Sequence, residues 1–225
     1  MLRGWARVGV LLVTMFTAIL RPSEILLARR RHLVLPRDIN YDADYALLVI
    51  PEPKNRRWST TPARQSAKIQ PKDLVDALDQ IYGDELPEAP LWPASSDAFR
   101  KRFRTLNAFF GLPEQVKGAF SRKLKVLQVA SMRAGGATLL WLQTEDARLV
   151  QLRGRWQNDA TMTIYLQELV ATTFLSEQPE STRATIALYD RQAPLIWHQT
   201  LRWMRQGVPP ERIPESWRSE ILRHR

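Results

Sequence analysis

The stretch that most constrains this chain is VGVLLVTMFTAIL at residues 8–20, apolar but for two threonines and a glycine. A membrane helix needs roughly 20 such residues, and no small-residue cleavage site follows of the kind that ends a secretory signal. The run passes instead into RPSEILLARRRHL. Helical periodicity therefore covers residues 8 to about 30, and the expectation is one continuous buried helix with a charged end.

Beyond that segment, HLVLP and DYALLVIP read as short strands, β-branched and apolar, bounded by Pro and Asp. PEPKNRRWSTTPARQ, residues 51–65, combines turn formers with positive charge, and SAKIQ reads as a returning strand. These segments predict a small antiparallel sheet with a basic hairpin at its edge. The rest of the chain reads as helical. PKDLVDALDQIYG opens on Pro and closes on Gly, and SSDAFRKRFRTLNAFFG starts on an N-cap signal. Further helices are expected over 130–142, 146–153, 159–175, 178–206 and 211–223. The fold class is mainly α with a small antiparallel β-sheet. Residues 1–176 form the main domain and 177–225 a C-terminal helical tail.

Composition limits the chemistry. With no cysteine, thiolate nucleophiles, disulfides and Cys-based metal sites are excluded. His32, His198 and His224 are scattered, without the paired spacing of a histidine metal site. The net charge of +10 suits a polyanionic partner, either nucleic acid or an anionic membrane surface.

Four islands place basic or hydroxyl side chains where a fold has little structural use for them. In LRPSE, Arg21 closes a buried helix face and needs an anion or carboxylate, and Glu24 can orient it. Lys54 leads PKNRR in the hairpin, beside Arg56 and Arg57. In SMRAGGATLLWL, Arg133 precedes Gly135 and Gly136, which permit close helix packing. In RGRWQNDATMTIY, Tyr165 follows Trp156 by nine positions. Arg153 and Arg155 in that stretch read as solvated or phosphate-facing charges, and Trp156 as a partly buried packing aromatic with an indole N–H to offer.

Taken in order, the four islands resemble the motif boxes of the tyrosine recombinases, also called the phage integrase family. LRPSEILLARRRHL is similar to the first arginine box, MRAGGATLLWL to the second, and RGRWQNDATMTIY to the closing box. The resemblance runs over roughly residues 8–176, is strongest over 129–168, and is nearest to divergent eukaryotic or mobile-element-derived members. It implies a tyrosine-recombinase-like catalytic domain that binds double-stranded DNA, with Arg21, Lys54, Arg133, Trp156 and Tyr165 as the catalytic set. Tyr165 would form a 3′-phosphotyrosine link, the two arginines would hold the phosphate, and Lys54 would protonate the departing 5′ oxygen. It further implies no cofactor and, as in the family, a C-terminal segment that docks on a neighbouring copy on DNA; the helical spacing of that segment equally allows it to fold back on its own domain. A membrane partner is not expected, the alternative being a basic membrane-associated protein anchored by residues 8–20. The compartment would be the nucleus for a eukaryotic member and the cytoplasm otherwise.

Two departures accompany the resemblance. The family usually carries a histidine three residues before the second arginine, and this sequence has Ala130 there. Only twenty residues precede Arg21, so the family's DNA-clamping domain is expected either on another chain or lost from a shortened mobile-element gene. Both departures favour an alternative expectation, a catalytically inactive DNA-binding remnant.

Overall fold

The computed structural model describes residues 3–39, 42–50, 65–112, 115–117, 123–125 and 127–223. The basic hairpin with Lys54, Arg56 and Arg57 lies outside the described residues.

The apolar N-terminal run does become the central core helix, but it is not continuous. Helix α1 spans Ala6–Thr17 and buries Val8, Val10, Leu11 and Met15, each worth about 1.5–3 kcal/mol relative to exposure. It then stops. Ile19 adopts φ 51°, in the left-handed region that a β-branched residue rarely enters. Arg21 is extended at ψ 148°, and a five-residue helix α2 restarts at Pro22–Leu26. The break corrects the expectation of one helix to residue 30, and Pro22 supplies its cause. Proline disfavours helical geometry in the residue before it and has no N–H to continue a helical ladder, so Arg21 must leave the helix.

Strands β1 (Leu33–Val34), β2 (Ala46–Ile50) and β3 (Gln65–Ile69) form an antiparallel sheet in that spatial order. Leu33 faces Leu48 and Leu48 faces Ala67. In β2 the alternate residues Ala46, Leu48 and Ile50 are fully buried, as the two-residue period of a strand requires. Helix α3 (Lys72–Tyr82) buries Leu74, Val75 and Leu78 in the same core, and α4 (Ser96–Phe109) adds Phe99 and Phe103. The Ser95 hydroxyl caps α4 by accepting from the Ala98 N–H at 3.1 Å.

A second, two-stranded ribbon, β4 (Gln115–Lys117) with β5 (Lys123–Lys125), sits in a stretch that reads as helical in sequence. Each strand is three residues long with one apolar residue in the middle, too short for a periodic signal.

Helices α5 (Ser131–Thr144) and α6 (Ala147–Gly154) fall close to their expected positions. The expected helix over 159–175 is instead two short ones, α7 (Asp159–Thr163) and α8 (Glu168–Thr173), with Tyr165 in the turn between them. Thr138 of α5 holds that turn. Its hydroxyl donates to the Tyr165 carbonyl at 3.2 Å and accepts from the Gln167 N–H at 3.1 Å.

The C-terminal segment forms α9 (Glu180–Arg205) and α10 (Ile213–Arg223). α9 packs on its own chain: Leu201 enters the main core, and the Trp197 indole N–H donates to the Asp73 carbonyl at 3.3 Å. Near its start, the Thr182 hydroxyl donates to the Gly111 carbonyl at 3.2 Å. Among the described residues, no helix is long and apolar enough to cross a membrane.

Candidate anion-binding site

Arg21, Arg133, Trp156 and Tyr165 come together where the end of α1 meets α5, α6 and the α7–α8 turn. What brings them there is a close approach of two backbones. At Gly136 a Cβ would lie 1.9 Å from the Phe16 carbonyl oxygen, so only glycine lets α5 press on the last turns of α1. At Gly154 a Cβ would fall 1.7 Å from the Trp156 ring, which uses that space to fold back beneath the site.

One carboxylate organises the cluster. Glu24, buried on α2, accepts from the Arg21 backbone N–H at 2.8 Å and from Arg21 Nη1 at 2.7 Å. Its Oε2 also accepts from Arg155 Nη2 at 2.7 Å and lies 3.8 Å from Arg133 Nη1. Three guanidiniums therefore share a single carboxylate, and the cluster keeps a net charge of +2.

Arg133 is 2 % exposed. Its Nη1 donates to the Ile19 carbonyl at 2.6 Å and its Nη2 to the Gly154 carbonyl. Trp156 and Tyr165 stand at its guanidinium with ring centroids 4.7 and 5.5 Å from Cζ, while their own rings lie 4.9 Å apart. Burial, reinforced by the neighbouring charges of Arg21 and Arg155, pushes the Arg133 pKa down to about 10. It remains a cation at neutral pH. Burial likewise lowers Arg155, and Glu24 opposes that shift.

Three donors in this cluster, Arg133 Nε, Arg155 Nε and the Trp156 indole Nε1, are buried without a hydrogen-bond partner among the described residues. Buried polar groups nearly always find partners. A site with surplus positive charge and unmatched N–H donors has the chemistry of an oxyanion receptor.

No protein-family model and no curated protein matches the chain.

The site differs from the sequence-based expectation at one position. Arg155, expected as a solvated or phosphate-facing charge, is half-buried with its side chain largely covered, adopts the left-handed conformation at φ 56° and is bonded to Glu24. It belongs to the cluster. Its signal was the position directly after Gly154, where α6 ends and the chain must turn. Arg153 hydrogen-bonds Gln70 and stays outside the cluster. Ala130 is the exposed N-cap residue of α5 and contributes no titratable group. Lys54 lies outside the described residues. Among those residues, no cluster of His, Asp or Glu has metal-binding geometry.

Proposed function

We propose that the chain is a tyrosine-recombinase-like, DNA-binding strand transferase. The observation that carries this reading is the net +2 cluster of Arg21, Arg133 and Arg155 around Glu24, in which Arg133 and Trp156, each with an unmatched buried donor, lie against the ring of Tyr165. Phosphoryl transfer asks a protein mainly for positioning and for charge on the non-bridging oxygens, and guanidiniums supply both bidentately.

In this reading the Tyr165 phenol oxygen attacks a backbone phosphorus of duplex DNA. The phenolic proton leaves to solvent as the new P–O bond forms to tyrosine and the P–O5′ bond breaks, and the 5′ oxygen takes a proton from Lys54. Attack by a free 5′ hydroxyl reverses these steps, so the phosphodiester is conserved and no external energy source is consumed. The Trp156 indole N–H and the two Nε donors serve the developing oxyanion. Because Arg133 already gives both Nη groups to backbone carbonyls, phosphate would meet its remaining Nε edge together with Arg21, the more exposed guanidinium.

A second reading, a catalytically silent DNA-binding remnant, is favoured by Ala130. The phenol of an ordinary tyrosine has a pKa of about 10, general acid–base help contributes about 10²–10⁴-fold, and a methyl group offers none.

A nicked suicide duplex, presented as a random-sequence library, tests the choice. Strand transfer yields a protease-sensitive covalent adduct that Tyr165→Phe abolishes. Binding without any adduct selects the silent remnant, and neither binding nor adduct removes both readings.

A further inference from the structure

At the opposite end of α1 from the phosphate cluster, five side chains alternate ring and guanidinium. Trp92, Arg102, Trp5, Arg3 and Phe109 follow one another, with Cζ-to-centroid distances of 5.0, 5.4, 5.7 and 5.2 Å. The Trp92 end is fixed, since its indole N–H donates to the Ser95 carbonyl at 2.9 Å and its ring meets Phe99 edge-on at 5.2 Å. At the other end Arg3 and Phe109 are exposed.

We infer that this ladder is a second binding site, one that grips the phosphate backbone of duplex DNA away from the reacting phosphate. The choice of DNA rests on the function proposed above; the site itself rests on the following observations.

Among the described residues, neither Arg3 nor Arg102 forms a salt bridge. A guanidinium stacked between rings has its faces covered and its rotamers restricted, while its in-plane N–H groups remain available to an oxyanion. Two such forks sharing the Trp5 ring lie at most about 11 Å apart, within reach of neighbouring phosphates on strands that rise about 3.4 Å per nucleotide.

The surroundings carry the same charge. α4 has four basic residues and one acidic residue, for a net charge of +3. Arg100 pairs with the single acid, Asp97, whereas Lys101 and Arg104 are exposed, three residues apart on one face. Two ring-held guanidiniums beside a helix of net charge +3 complement a polyanion, and duplex DNA is the polyanion that the proposed function supplies. With 12 residues at about 1.5 Å each, α1 holds the ladder and the cluster about 18 Å apart, or about five base pairs along a duplex.

The experiment titrates a fluorescently labelled random-sequence duplex by anisotropy at several salt concentrations between about 50 and 200 mM. The full chain is compared with its R3Q/R102Q, R3Q and K72Q variants, Lys72 being an exposed cation already paired with Asp76 on α3. Each lost phosphate contact flattens the plot of log affinity against log salt by about 0.9. R3Q/R102Q is expected to lower the slope by about 2, R3Q by about 1, and K72Q to leave it unchanged. If R3Q/R102Q loses its helical circular dichroism, R3Q alone decides, because Arg3 is exposed. An unchanged slope in a folded variant overturns the ladder, as does wild-type protein that binds vesicles of phosphatidylcholine and phosphatidylserine but no duplex. The two ideas fail separately. A slope that responds to R3Q while no suicide substrate is trapped removes strand transfer only, and an adduct with an unresponsive slope removes the ladder only.

Discussion

Arg155 and Glu24 are separated by 131 residues in the chain and meet at 2.7 Å, with both side chains buried. The contact ties the end of α6 to α2. Two guanidiniums, Arg133 and Arg155, also donate to the carbonyl of Ile19, at 2.6 and 3.3 Å, in the left-handed turn that aims Arg21. Backbone held in a sparsely populated conformation costs about 1–3 kcal/mol and persists only where the surroundings over-determine it. Here the arginines provide that constraint.

Glu24→Gln leaves three buried or half-buried guanidiniums without their carboxylate. Removing one partner from a buried ion pair costs about 3–5 kcal/mol, and urea unfolding should register a loss of that size. Sulfate or phosphate should restore part of the loss, more than it adds to wild type. Equal responses in the two proteins would show that the cluster does not receive anions.

Gly136→Ala places a methyl group against the Phe16 carbonyl oxygen, which is backbone and cannot swing aside. Overpacking of this kind costs about 1–3 kcal/mol and occasionally more, and the upper end is expected in chemical denaturation. A loss under about 0.5 kcal/mol would mean that α5 and α1 do not pack as described.

Tyr165→Phe removes a hydroxyl for which the structure records no hydrogen-bond partner among the described residues, and keeps the ring against Trp156 and Arg133. Stability should stay within about 0.5 kcal/mol of wild type, while any covalent DNA adduct disappears. A folded protein that still forms the adduct would put the nucleophile elsewhere.

His32 provides a pH-dependent element. Its Nδ1 accepts the Arg29 N–H at 3.1 Å, so the folded protein needs it unprotonated there. Burial, with help from Arg31 and Arg29, lowers its pKa from the usual 6.5. The unfolded chain therefore takes up the proton first, and this contribution is complete above the unfolded pKa and lost as pH falls through the folded one. Thermal melts should show wild type losing stability just below pH 6.5, with His32→Gln losing less over the same interval. Parallel curves would assign the acid sensitivity to other groups, such as Asp38, whose lowered carboxyl pKa acts at more acidic pH.

Much of the architecture was legible because it depends on local rules. The two-residue period of Ala46–Ile50, the serine cap of α4 and the Pro and Gly bounds of α3 each act over a few residues. Pro22 is a local signal for the break after α1, one that the expectation of a single helix to residue 30 leaves out. The β4–β5 ribbon and the division of 159–175 were not legible. Strands of three residues carry no period, and the turn at Tyr165 is held by Thr138, 27 residues away.

The chain's own sequence determined that the apolar run at residues 8–20 enters the core, that positive charge dominates, and that thiol chemistry is absent. It also contained Arg21, Glu24, Arg133, Trp156 and Tyr165 in an order suggestive of a phosphate site. Only tertiary structure decided that Arg155 joins them, that one carboxylate serves three guanidiniums, and that α9 folds onto its own chain. The physical reason is range. Capping, periodicity and turn chemistry are set within about one helical turn, whereas the partner of a buried charge is chosen by whichever distant backbone can approach closely enough. Here Gly136 sets that approach.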